Sequence, residues 1–398
     1  MKQTILNLTM AAALILGATA TSSCAGFVDA LLGHEDNPAE TPTKPTTSDG
    51  DTNNDMSLPP GAGMRIIDLS TLTENYTCQD FDVLTGTLDG EKTTIKLSVP
   101  DGATVILSNA QILGKDKGES VNLFAGLTCL GSATIILDGE NTVRSFDRYY
   151  PCIQPGPEGS KLTIKGDGKL TTEGDGEAGI GISNGIACGD IEILGGDITL
   201  KDTYVGIGGC FGSCGDITIS GGTIMAQSEA VGIGSGGLGS CGDITISGGT
   251  IMAQSGNAAI GSEGFSSCGN ITISGGTIMA QSDFVGIGSC YESSCGDINI
   301  SCGENFVSLT AIKGNDVESP IGGFDDSECG DIIFDGITIK AKNAYYYNTV
   351  IGNGKEFGNL KLTISTTLPE GVNKEDEGAV KPYKDNTWTL TPIGALIY

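Results

Sequence analysis

Carboxylates recur along this chain at one place in a repeating unit: Asp190, Asp216, Asp243, Asp297 and Asp331, with Asn270 at that place in one copy. Two residues after them come Thr218, Thr245, Thr272 and Asn299, and two further on Ser220, Ser247, Ser274 and Ser301. Later in the unit come Met225, Met252 and Met279, then Gln227, Gln254 and Gln281. Carboxylates about 5 Å apart repel one another unless water or a cation intervenes, so Asp216, Asp243 and Asp297 are candidate ligands of a calcium track. The commoner use of aspartate at such a place is to close a turn by accepting nearby backbone N–H groups. Rows of hydroxyl and amide groups can meet a polymer that presents its own hydroxyls at regular intervals, and many weak contacts then add. Tyr149 and Tyr150, in the irregular loop FDRYYP, are candidate stacking platforms for sugar rings; packing against the fold is the ordinary alternative.

Acid–base or nucleophilic catalysis is poorly provided for. The one histidine is His34, near the N-terminus, and arginine occurs only at Arg65, Arg144 and Arg148, outside the regular units. The carboxylates are spread along rows instead of gathered about one point. The expectation is a protein without catalytic activity that requires no cofactor, calcium being the one candidate ion. Of thirteen cysteines, Cys188, Cys214, Cys241, Cys268, Cys295 and Cys329 open successive units. No CxxC occurs, so a structural zinc site is not expected. A column of small buried thiols is the plainer reading. Cys210 with Cys214, and Cys290 with Cys295 or Cys302, are the better candidates for disulfides, and the pairing stays open.

These rows exist only if successive units stack in register, and the repeat requires that they do. CGDITISGGTIMAQS opens at Cys214 and again at Cys241, and CGNITISGGTIMAQS follows at Cys268, with no insertion between copies. A fixed period of this length marks a stacked solenoid. Ile217 and Ile219 alternate with Thr218 and Ser220, which is the period of a strand. Gly221 and Gly222 break it; Ile224 and Ala226 resume it, and Val231 and Ile233 make a third short run. Three short strands in about 27 residues predict one coil of a right-handed parallel β-helix. Residues 127–358 are assigned to such coils, 64–126 to an N-terminal cap and first coils, and 359–398 to a C-terminal cap with Trp388 plugging the end.

The ends of the chain and its charge limit the partners. Lys2 precedes an apolar stretch over residues 5–20, then small residues lead to Cys24. Residues 1–23 therefore read as a lipoprotein signal peptide with Cys24 as the acylated anchor, an ordinary secretory signal cut after Ala20 being the alternative. Residues 24–63, with Pro38, Pro42, Pro45, Pro59 and Pro60 among polar residues, read as a disordered tether. Acidic residues number 49 against 21 basic ones, a net charge of −28, and residues 203–311 contain no Lys or Arg. Nucleic acid and anionic membrane surfaces are poor partners for such a chain, so the membrane is expected to be met through the lipid anchor alone.

The run AGLTCLGSATIILDGENTV, then IQPGPEGSKLTIKGDGKLTTEGDGEAGIGIS and the CGDITISGGTIMAQS…GIGSG units, resembles a group of extracytoplasmic repeat proteins of Bacteroidetes, described as carbohydrate-binding-domain or adhesin-like β-helix proteins. The resemblance spans residues 66–354. It implies a lipoprotein of the bacterial outer membrane, on its periplasmic or outer face, that binds polysaccharide or a cell-surface protein. It brings no fixed set of binding residues, and Met-Ala-Gln-Ser here replaces the usual Ala-Thr-Gly strand ending. β-Helices also carry lyases and hydrolases, so the fold alone does not choose among these activities.

Overall fold

The computed structural model describes residues 63–115, 124–174, 177–183, 185–303, 306–313, 321–324, 326–335, 337–343, 356–357, 360–362 and 385–392. The expected signal peptide, the expected anchor at Cys24, nearly all of the expected tether and the side chain of Trp388 lie outside the described residues.

Alternating β-branched and polar residues make strands, and glycines make the corners between them. Ile217–Ile219 and Thr223–Gly236 form one coil; Ile244–Ser255 and Ala258–Glu263 form the next; Ile271–Ser282 and Val285–Cys290 the one after. Each of these regular coils contributes one segment to each of three parallel ladders. In the first, Ile191 pairs with Ile217, and then Ile244, Ile271, Ile298 and Ile332 follow in register. The second ladder aligns Ile198, Ile224, Ile251, Ile278 and Leu309, and the third Ile207, Ile233, Ile260, Ile287 and Ile321. The chain is a parallel β-solenoid, with coils of about 27 residues in the regular part.

The inward residues are the same from coil to coil. Cys214, Ile217, Ile219, Ile224, Ala226 and Ile233 are buried in one core, and each has its equivalent one coil later. Identical side chains stacked at strand spacing pack without voids, so the core is a set of columns. The third ladder also carries a glycine column, Gly208, Gly234, Gly261 and Gly288. At Gly234 φ is 137°, and an ideal Cβ there would lie 1.8 Å from the carbonyl oxygen of Gly261 on the next coil. No other residue fits that approach, which explains the GIG signature.

The six unit-opening cysteines are buried in this core, as expected of a thiol column. Among the described cysteines none forms a disulfide. Cys214 and Cys295 belong to the main core, whereas Cys210 and Cys290 belong to a second buried cluster with Val205, Val231, Ala258 and Val285. The members of the pairs Cys210–Cys214 and Cys290–Cys295 thus serve different cores, and Cys302 is an exposed free thiol while Cys290 is buried.

Coiling begins at once. Arg65–Asp68 already pairs in parallel with Asp82–Asp89, and Asp82, fully buried, is held by Arg65 Nε and Nη2 at 2.8 Å, the Tyr76 hydroxyl at 2.7 Å and the Gln79 N–H at 2.7 Å. At the other end, Leu360–Leu362 extends the first ladder, but Asp385–Pro392 does not follow the pattern. It lies antiparallel between Phe306–Lys313 and Ile337–Asn343, joining two segments of the second ladder.

Candidate functional site

The aspartate row is continuous. The N–H of Asp216 donates to Asp190 Oδ1 at 2.9 Å, that of Asp243 to Asp216 Oδ1 at 2.8 Å, and that of Asn270 to Asp243 Oδ1 at 2.7 Å. The N–H of Asp297 donates to Asn270 Oδ1 and that of Asp331 to Asp297 Oδ1. Each side chain therefore receives the backbone of the next coil, the turn-closing role that aspartate commonly fills. The glycine before each of these residues makes it possible: an ideal Cβ on Gly242 would lie 2.1 Å from Asp216 Oδ1, and one on Gly269 would lie 2.3 Å from Asp243 Oδ1. The triplet Cys-Gly-Asp is thus a unit of inward thiol, gap and acceptor. Asn270 fits because the row uses an acceptor oxygen and does not need the charge. The same device begins earlier, at Asp101, whose Oδ1 accepts from Ser132 N–H at 2.8 Å beside Gly131. Spacing hid that member, because its coil is longer. Among the described residues no three His, Cys, Asp or Glu side chains are grouped so that they could hold a metal ion.

The hydroxyl and amide rows face outward, half exposed. Thr218, Thr245 and Thr272 stand in register with Asn299. The serine row is less even: Ser220 is exposed, and Ser247 aligns with Gly275 across an irregularity, out of step with Ser274. On the second ladder Met225, Met252 and Met279 align, as do Gln227, Gln254 and Gln281. Gln227 Nε2 donates to Gln254 Oε1 at 3.3 Å, and Gln254 Nε2 to Gln281 Oε1 at 3.5 Å. The amides form a chain along the axis, which fixes their orientation.

Tyr149 and Tyr150 are not part of these faces. They sit in the turn before Ile153–Gln154, on a coil near the N-terminal end, with Tyr149 N–H donating to Asp147 Oδ1 at 2.8 Å. The Arg148 guanidinium lies 5.2 Å from the exposed Tyr149 ring centroid. The structure brings Thr218, Thr245, Thr272 and the glutamines onto adjacent coils and leaves the tyrosine pair elsewhere. Arg144 forms an ion pair with Glu173, and Arg65 is spent on Asp82, so both serve the fold.

Residue spacing missed two buried carboxylates, Asp82 at the first coil and Glu263 among the regular ones. Glu263 accepts from Asn257 Nδ2 at 3.0 Å and from Gly237 N–H at 3.2 Å. The Tyr204 hydroxyl also bonds it, and burial, more than that bond, pushes the phenol well up. Gly236 makes room for it, since an ideal Cβ there would lie 3.0 Å from Glu263 Oε1. In the neighbouring units glycine or cysteine stands at this place, so a repeat average conceals it. The thiols of the main core are likewise perturbed: Cys214, Cys268 and Cys295 are raised well above the ordinary value, first by hydrogen bonding to a neighbouring thiol and then by burial. Such thiols are poor nucleophiles.

A family model described as a beta helix repeat matches residues 162–181, 217–237, 244–265 and 271–289. The chain is built of β-helix repeats. Each matched segment reaches the third ladder, and three begin at an inward isoleucine of the first. No curated protein and no solved structure matches the chain significantly.

Proposed function

We propose that this protein is an extracytoplasmic lipoprotein, anchored through Cys24, that binds polysaccharide without chemical conversion. The observation that carries the reading is the register of the outward rows. Thr218, Thr245 and Thr272, with Gln227, Gln254 and Gln281, recur at the same places on consecutive coils, about 4.8 Å apart. A sugar polymer laid across the coils would meet the same hydroxyl and amide groups at each step, so weak contacts add. The chained glutamine amides are pre-oriented, which lowers the entropy lost on binding. The acidity of the coils favours neutral glycans, or acidic ones with calcium bridging to carboxylates such as Asp216, Asp243 and Asp297.

The test is a glycan array probed with the full chain in calcium and in chelator, with reducing-end release measured on the same sugars. Binding without release is the expected result. Release of product would make the protein a lyase or hydrolase, and silence on every glycan would remove the reading. Cys24→Ala should move the protein from the membrane fraction to the soluble one; an unchanged distribution would sink the anchor.

A further inference from the structure

The turn that closes each coil, three residues before the inward cysteine, passes through left-handed backbone. Gly185, Phe211, Leu238, Phe265, Glu292 and Asp326 occupy this place in successive coils, all with φ between 50° and 72°. Glycine is the residue for such a position, and Gly185 shows it in use. Phe211, Leu238 and Phe265 adopt the same backbone at a steric cost that glycine avoids. Burial does not offset that cost, because the three residues are 41%, 69% and 63% exposed. Phe211 recovers part of that cost through its ring contact with Tyr204, the centroids 6.0 Å apart, whereas Leu238 and Phe265 combine left-handed backbone with the greater exposure.

The three side chains form one row. Phe211 N–H donates to Gly236 O, Leu238 N–H to Gly264 O and Phe265 N–H to Tyr291 O, so the turns stack. The Phe211 ring lies where a side chain on Gly237 would be, with ring carbons 2.6–2.9 Å from an ideal Cβ there. The row is apolar over three coils and becomes acidic at Glu292, and residues 203–311 carry no Lys or Arg at all.

We propose that this row is a docking surface for a cationic protein segment, lying along the solenoid axis with apolar side chains on Phe211, Leu238 and Phe265 and basic ones toward Glu292. Charge selects this occupant. A second copy of a chain with net charge −28 would be repelled, as would an anionic membrane. A sugar chain needs flat ring faces and hydrogen-bond partners, and Leu238, the most exposed member, offers neither. The surface is distinct from the Thr, Ser and Gln rows, so it stands whether or not those bind glycan.

Binding of short synthetic peptides to the full chain, read by fluorescence anisotropy, tests the proposal. The probes are a leucine–lysine alternating peptide, a serine–lysine one and a leucine–glutamate one, with a neutral β-glucan oligosaccharide as the non-protein arm. The double variant L238N/F265N keeps a residue that tolerates left-handed backbone, so its thermal midpoint should equal or exceed that of the natural chain. It should bind the leucine–lysine peptide at least about tenfold more weakly. Leu194→Asn, an exposed apolar residue elsewhere on the surface, should leave binding unchanged. The serine–lysine and leucine–glutamate peptides should also bind the natural chain about tenfold more weakly than the leucine–lysine one. Equal binding by natural chain and double variant would overturn the proposal, as would equal binding of the serine–lysine peptide or no peptide binding at all. Oligosaccharide binding that is lost in the double variant would reassign the row to glycan.

Discussion

At the scale of single residues, the acceptor oxygen on Asp243 carries more weight than its charge. Its Oδ1 takes the Asn270 N–H at 2.7 Å over the gap left by Gly269. Asp243→Asn keeps that oxygen and removes one of a series of like charges, so the unfolding free energy from urea titration should stay within about 0.5 kcal/mol of the natural value. Asp243→Ala should cost about 1 kcal/mol, the usual value of one such bond. If asparagine is as damaging as alanine, the row uses its charge, and a bound cation becomes the better account. The buried thiols make a second prediction. Burial pushes Cys78, Cys129 and Cys152 up from 9.0 to about 12. A group with a raised folded value favours the folded state fully below its unfolded value, and that contribution is lost as the pH climbs toward the folded one. Stability should therefore be flat in these thiols up to pH about 9 and then fall by up to about 1.4 kcal/mol per unit for each of them. Denaturation midpoints at pH 7, 9 and 10.5 check this, and a midpoint unchanged at 10.5 would mean the thiols are not shielded. Much at this scale was legible in the sequence: the thiol column and the turn-closing aspartates follow from residue type and spacing. The left-handed turn at Phe211, Leu238 and Phe265 was not, because backbone angle leaves no mark on a residue that is atypical for it.

At the scale of the strand, the period-two pattern was enough to place inward and outward faces. Ile246 is fully buried and Thr245 half exposed, as alternation requires. Ile246→Asp puts an uncompensated charge into a core column and should cost more than about 3 kcal/mol, with loss of cooperative unfolding in the middle coils. Thr245→Asp meets water and should cost less than about 1 kcal/mol. Circular dichroism with thermal melts would decide, and similar damage from both changes would show that the faces are reversed. The pattern was less informative where strands lose their repeat. Ser247 slips against Gly275, because the bulge between Ile246 and Thr250 depends on how two glycine corners settle and not on residue type. Glu263 escaped for a related reason: a repeat directs attention to what is shared, and this carboxylate stands where its neighbours have glycine and cysteine.

At the scale of the molecule, a solenoid is nearly one-dimensional. Each coil touches only the next, so stability is close to a sum of neighbour terms, and the ends decide whether the stack survives. The repeated units specify parallel neighbours and nothing else, which is why the fold was legible and the tail was not. Asp385–Pro392 finds its partners far back in the sequence, at Phe306–Lys313 and Ile337–Asn343, and enters antiparallel between them. No local pattern encodes a partner at that distance. Its placement gives it a specific task, since without it two segments of the second ladder would each lose one row of backbone bonds and expose an edge. Open edges of this kind pair with other chains. Removing residues 385–398 should therefore lower the melting temperature and increase concentration-dependent aggregation relative to the natural chain, while amide exchange in the coils around Cys241 stays as slow as in the natural chain. Light scattering and hydrogen exchange on the truncated chain make the test. Uniform loss of protection throughout would show that the coils do not hold independently of the end. Unchanged scattering would show that the tail strand does not guard the edge.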